Sequence, residues 1–151
     1  MSLPDDIVET AMAEIGVKET GSNAGIPLSR YGLPGDVPSP WCARFVRWTL
    51  SVCGIKIPGN QYELGRVQYM EDKFRELGWL VSEPQRGDVV FFKSRIGSDA
   101  GVGRHVGFVT KVTKTTIETV EGNSGDRVAK RTYPYPCSSI AGFGRPEASK
   151  E

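Results

Sequence analysis

The hydrophobic pattern of this chain changes its period once, at Gly78, and that change constrains the fold more than any other feature. Before it, apolar residues recur at helical spacing. Ile7, Val8, Ala11, Met12 and Ile15 share one side of a helix predicted over Pro4–Val17, with Pro4 near its start and Asp5 and Asp6 in the opening turn. Cys42, Phe45, Val46, Leu50 and Cys53 repeat the i, i+3, i+4 spacing, and Gly54 stops that second helix. Gln61 to Phe74 is polar, with apolar residues at Tyr62, Leu64, Val67, Met70 and Phe74, and reads as a short or irregular helix. After Gly78 come β-rich runs: Trp79–Val81 and Asp88–Phe92 about a turn at Gln85–Gly87, then His105–Val112, Thr115–Asn123, Val128–Tyr133 and Ser139–Phe143. Helices first and strands later predict an α+β fold, N-terminal helices packed on an antiparallel sheet. The 151 residues are expected to form one domain, with a core from about 5 to 146.

Composition removes several functions. Lys+Arg 19 against Asp+Glu 18 leaves no basic field to attract nucleic acid or an anionic membrane, so neither is expected as a partner. Three cysteines at irregular spacing make no disulfide framework, and a single histidine excludes a His-rich metal centre, so no cofactor is expected. Cys53 stands eleven residues beyond Cys42, about 16 Å along a helix, too far for a disulfide between them; Cys137, among prolines, carries no evident role. The N-terminus lacks a basic and apolar leader, and no run of 18 residues is apolar throughout. The expectation is a monomer made in the cytoplasm without a signal peptide.

Chemistry enters at the head of the second helix. A thiol there meets the positive end of the helix dipole, which favours thiolate over thiol. Far along the chain, the runs His105–Val112 and Thr115–Asn123 are joined at Thr113-Lys114 as a hairpin, which brings His105 beside Glu121, Gly122 or Asn123. Glu121 and Asn123 share a face by the period of two. Thiolate, imidazole and a group that fixes the imidazole's tautomer are the parts of a Cys–His acyl-transfer site. Either Glu121 or Asn123 could hold His105, and the backbone N–H of Cys42 could meet the oxyanion. The stretch from Glu19 to Pro40, rich in Gly, Pro and Ser, is expected to form a functional rim. Tyr31 and Trp41 are the expected substrate-binding residues of the cleft, with Tyr62 and Trp79 as further wall candidates. Gly97–Gly103 is glycine-rich, but no Gly-Lys-Ser/Thr follows, so it is not a phosphate cradle.

Four segments, Pro40-Trp41-Cys42-Ala43-Arg44-Phe45-Val46, Arg86-Gly87-Asp88-Val89-Val90-Phe91-Phe92, His105-Val106-Gly107-Phe108-Val109 and Val120-Glu121-Gly122-Asn123, in this order and at these separations, resemble the CHAP domain. That group comprises cysteine- and histidine-dependent amidohydrolases and peptidases of papain-like fold, and the resemblance runs from about Ile7 to Phe143. It implies a papain-like fold and hydrolysis of amide bonds in bacterial peptidoglycan, either between N-acetylmuramic acid and L-alanine or within stem and cross-bridge peptides. Carried over residue by residue, Cys42 matches the nucleophile, His105 the base, Glu121 the third member and Asn123 a polar support. Asp88 also matches, in the role of tying a turn. Some members bind calcium through acidic residues clustered before the cysteine; here Asp36 stands alone between Gly32 and Pro40, which implies metal independence. A phage or prophage endolysin would need no signal peptide and would act on the wall after release or secretion. Two other readings stay open: a cytoplasmic amidase of small γ-glutamyl conjugates resembling glutathionylspermidine, and a non-catalytic wall-binding module.

Overall fold

The computed structural model describes residues 2–18, 30–33, 41–93, 104–125 and 127–148. Most of the Glu19–Pro40 stretch, Asp36 and the Gly97–Gly103 loop lie outside the described residues. The described chain forms helices α1 (Leu3–Met12), α2 (Cys42–Val52) and α3 (Val67–Glu76), then strands β1 (Leu80–Val81), β2 (Val89–Phe92), β3 (His105–Val112), β4 (Thr116–Glu121), β5 (Ala129–Pro134) and β6 (Ile140–Gly144). The strands form one antiparallel sheet in the order β1-β6-β2-β3-β4-β5. The expected α+β architecture is the one observed. Among the described residues no helix is long and apolar enough to cross a membrane.

The period of two sorts the strand residues between two cores. Val89, Phe91, Val106, Phe108 and Val120 face the helices and join Phe45, Val46, Leu50, Met70 and Phe74 in the larger one. Val90, Phe92, Val109, Ile117 and Phe143 face the other way, covered by Tyr133, Tyr135, Ile140 and Val81. Burying each large side chain of this kind contributes about 1.5–3 kcal/mol. Close approach of α3 to the sheet depends on Gly144, where an added Cβ would sit 2.2 Å from a Phe74 ring carbon.

Three local expectations are corrected. The first helix ends at Met12, not Val17: tight turns follow, Gly16 takes a left-handed φ of 96°, and its N–H bonds Val128. A backbone bridge between Lys18 and Arg127 then draws the chain toward the sheet. Residues 61–65 are turns rather than helix: Asn60 and Glu63 close a reciprocal cap, but the turn it starts stops at Gly65, which packs against the Arg44 guanidinium. Asn60 Oδ1 accepts from the N–H groups of Tyr62 and Glu63, and Glu63 Oε1 accepts from that of Asn60. Finally, β1 and β2 do not pair with each other; β6 lies between them. Asp88 does tie the Gln85–Gly87 turn, accepting the Gln85 N–H at 2.7 Å, and its buried carboxylate also accepts from Nε and Nη2 of Arg145 at 2.9 Å each.

Candidate active site

The helix that carries Cys42 differs from α1 at its start. Ser2 caps α1, and Asp5 and Asp6 occupy its first turn. The N-cap of α2 is Trp41, which supplies no side-chain cap, and its first turn holds no acidic residue. The ladder begins with Phe45 N–H to Trp41 C=O at 3.0 Å, so Cys42 occupies the first helical position, and the positive end of the dipole is left for the sulfur. Cys42 is 3% exposed. Phe45 locks the helix to the sheet through an edge-on contact with Phe108, and the β4 end closes on α2 where Gly122 lies against it. A Cβ at Gly122 would come within 2.6 Å of Phe45 Cβ and 3.0 Å of the Trp41 ring, so a larger residue would hold the strand away.

His105 opens β3 opposite Phe92, and the two rings lie 5.7 Å apart. Phe108 pairs with Val120, which sets Gly107 beside Glu121 at the end of β4. By the period of two His105 and Glu121 share the face turned away from the helices, and Asn123 lies in the turn beyond the strand. Glu121 reaches His105 diagonally along the sheet because position 107 has no side chain; a Cβ there would sit 2.6 Å from Glu121 Cγ. Its Oε1 lies 2.7 Å from His105 Nε2, while Oε2 accepts from Thr119 Oγ1 at 2.6 Å and from the Tyr133 hydroxyl at 2.7 Å. The opposite ring nitrogen, Nδ1, is buried, and the ring hydrogen-bonds to Cys42. The nucleophile candidate thus rides on the helix layer and the imidazole and carboxylate on the other face, meeting across the end of the sheet.

Electrostatics follow from that enclosure. Burial of the His105 ring opposes its charge, but the charge and hydrogen bonding of Cys42, and then those of Glu121, outweigh it and raise its pKa to about 9. Burial likewise pushes the Glu121 carboxyl up; His105, Thr119 and Tyr133 together overcome it, and the group stays below its ordinary value. The arrangement places the His105 imidazole between the Cys42 sulfur and the Glu121 carboxylate and favours its charged form near neutral pH. Such a pair can attack a carbonyl and then protonate the leaving group.

Of the two groups expected to orient His105, Glu121 makes the hydrogen bond. Asn123 is buried at the turn that follows, with a left-handed φ of 56° that Asn tolerates better than most residues. Tyr31 and Trp41, expected to bind substrate, are both 0% exposed. Their rings stack 5.6 Å apart, Tyr31 donates to Glu14 Oε1 at 3.0 Å, and the Tyr31 carbonyl accepts from Arg47 of α2 at 2.9 Å. These contacts anchor the chain ahead of Cys42. Trp79 is likewise buried, against Phe74, whereas Tyr62 is exposed. The residues not anticipated are Thr119, Tyr133, Gly107 and Arg104. Arg104 ties the start of β3 to α3, donating to Glu71 at 2.6 Å and Gln68 at 2.8 Å. Among the described residues no cluster of His, Cys, Asp and Glu could hold a metal ion, and no disulfide is formed by the three cysteines.

The fold is similar to that in the crystal structure of Ly7917, with a TM-score of 0.62 at 14% identity over 96% of this chain and 62% of that one. A second structure of Ly7917, with the hydrolyzing product of MDP, matches with a TM-score of 0.62 at 13% identity, over 97% and 63%. The chain thus spans under two thirds of the length of those structures. No curated protein matches the sequence. The family model of the CHAP domain matches residues 34–123, a span that takes in Cys42, His105 and Glu121. Because that match covers more than half of the chain, this protein belongs to the CHAP domain family.

Proposed function

We propose that the protein is a peptidoglycan hydrolase that cleaves an amide bond of the bacterial cell wall through a Cys42 thioester. One observation carries the reading: a buried His105 coupled to the sulfur at the head of α2 and bonded through Nε2 to Glu121. In this scheme the Cys42 thiolate attacks the amide carbonyl, and the oxyanion forms at the positive start of α2. The proton on His105 Nδ1 passes to the departing amine, the C–N bond breaks, and an acyl thioester remains. His105, now neutral, takes a proton from water as its oxygen attacks the thioester carbon, and the thiolate leaves as the carboxylic acid product forms. Glu121 keeps the imidazole aimed throughout, and Asn123 closes the turn beside it. The substrate bond is either N-acetylmuramoyl-L-alanine or one within the stem or cross-bridge peptides, and release of a phage or prophage endolysin is the route to the wall that fits this activity.

The test is clearing of purified peptidoglycan by the protein and by Cys42→Ala, with free amines and muramic-acid ends assayed and EDTA added in parallel. Clearing by the parent alone, unaffected by EDTA, is expected, and the end groups separate amidase from endopeptidase. No release from several wall chemistries, while Cys42 is still alkylated rapidly at neutral pH, would overturn the wall as substrate and favour a small soluble amide. An unreactive Cys42 would overturn the mechanism.

A further inference from the structure

Glu121 is a buried carboxylate whose two oxygens do different work. Oε1 meets His105, while Oε2 is filled by two hydroxyls, Thr119 from its own strand and Tyr133 from β5. The terminal torsion of a glutamate is broad and nearly two-fold, so packing alone sets the plane of its carboxylate poorly. The position across the ladder is Gly107, which offers no side chain to wedge it. Tyr133 also supports the imidazole from behind: its ring lies 5.0 Å from that of Phe92, which in turn lies 5.7 Å from that of His105.

We infer that Tyr133, assisted by Thr119, is a positioning residue of the site, fixing the second oxygen of Glu121 so that the first stays aimed at His105 Nε2. The inference rests on the Cys42–His105–Glu121 reading of the site but not on the identity of the substrate. Besides these two hydroxyls and His105, the ionisable neighbours are Cys42 beyond the imidazole and Arg131 and Cys137 beside Tyr133. Burial and the charge of Glu121 push the Tyr133 phenol far up, so it remains a donor over the whole working range. Two effects compete when the hydroxyls are removed. If they serve to aim the carboxylate, His105 loses a well-placed anion and its pKa falls. If they only drain charge from the carboxylate, the anion strengthens and the pKa rises.

The chain's single histidine makes this measurable without assignment. The imidazole signals of the parent, Tyr133→Phe, Thr119→Val, the double variant and Thr119→Ser are titrated by NMR. The phenylalanine keeps the ring against Phe92, and the serine keeps the hydroxyl. A fall in the His105 pKa in both single variants is expected, reaching roughly one unit in the double, with Thr119→Ser matching the parent. Unchanged or raised values would overturn the inference, and each single variant decides by itself. No substrate is used, so failure to cleave peptidoglycan would strike the proposed function and leave this result standing.

Discussion

Gly107→Ala is the most local way to test whether Glu121 must reach His105. The added Cβ would sit 2.6 Å from Glu121 Cγ, 3.4 Å from its Cβ and 3.0 Å from the Val120 carbonyl oxygen. Ordinary carbon–carbon contact lies at about 3.5–4.0 Å, so some group must retreat by about 1 Å. The Val120 carbonyl belongs to the paired backbone of β3 and β4 and cannot retreat without opening the sheet. The yielding group is therefore the Glu121 side chain, and with it the bond to Nε2. Overpacking of this kind costs about 1–3 kcal/mol, equivalent in a domain of this size to a Tm lower by roughly 3–10 °C. A catalytic group displaced by about 1 Å costs on the order of 100-fold in rate. The variant should therefore remain folded, lose about 100-fold in kcat/KM for wall hydrolysis, and show a lowered His105 pKa by NMR. Gly142→Ala on β6, where an added Cβ meets nothing within 4 Å, is the control and should match the parent. A Gly107→Ala protein with kcat/KM within about threefold of the parent and an unchanged His105 titration would refute the reasoning, since Glu121 would then have kept its reach or never have needed it.

Other outcomes follow from the same geometry. Cys42→Ser should reduce hydrolysis to background and lower the His105 pKa, because the sulfur whose interaction with the ring offsets its burial is gone; an unchanged titration would contradict that interaction. Stability should depend on pH with a definite sign. The folded pKa of His105, about 9, lies above its ordinary 6.5, so its contribution is whole below about 6.5 and lost as pH rises through 9. Glu121 is lowered from its ordinary 4.5, so its contribution is present above that value and lost as pH falls through the folded one; urea unfolding across pH 3–10 should give greatest stability between about 4.5 and 6.5, falling on both sides. Arg145→Ala should cost about 2 kcal/mol in urea unfolding by leaving the buried Asp88 carboxylate with the turn as its support, without changing the His105 titration.

How much of this was legible in the sequence depends on the range of each signal. The Cys42 stripe and the His105–Glu121 hairpin are local patterns: a helical period with a glycine stop, and two β-rich runs across a short turn. Both therefore read directly, and with them the α+β class. The second oxygen of Glu121 did not, because the direction of Tyr133 depends on the pairing of Ile117 with Tyr133 across β4 and β5. The turn that sets that pairing includes the left-handed Asn123 and Gly125 and is not a short standard hairpin loop. The burial of Trp41 and Tyr31 was hidden for a related reason. Aromatic residues beside a cysteine suit a cleft wall or a core equally well, and only the stack of both rings with Glu14 and Arg47 beneath them decides. The stretch after Ile57 read as helix because its apolar spacing allows one. Asn60 and Glu63 form a capping pair, yet the turn it starts gives out at Gly65, packed under the Arg44 guanidinium.

The place of β6 has a consequence for how the chain is made. The last strand in sequence is inserted between β1 and β2, so a ribosome must deliver Ile140–Gly144 before the middle of the sheet can close. Until then, Val89-Val90-Phe91-Phe92, four residues wholly buried in the finished protein, would present an apolar edge open to any other strand. Nascent chains stalled before Ile140 should therefore associate with one another, and the thiol of Cys42, synthesised long before its imidazole, would wait without a base.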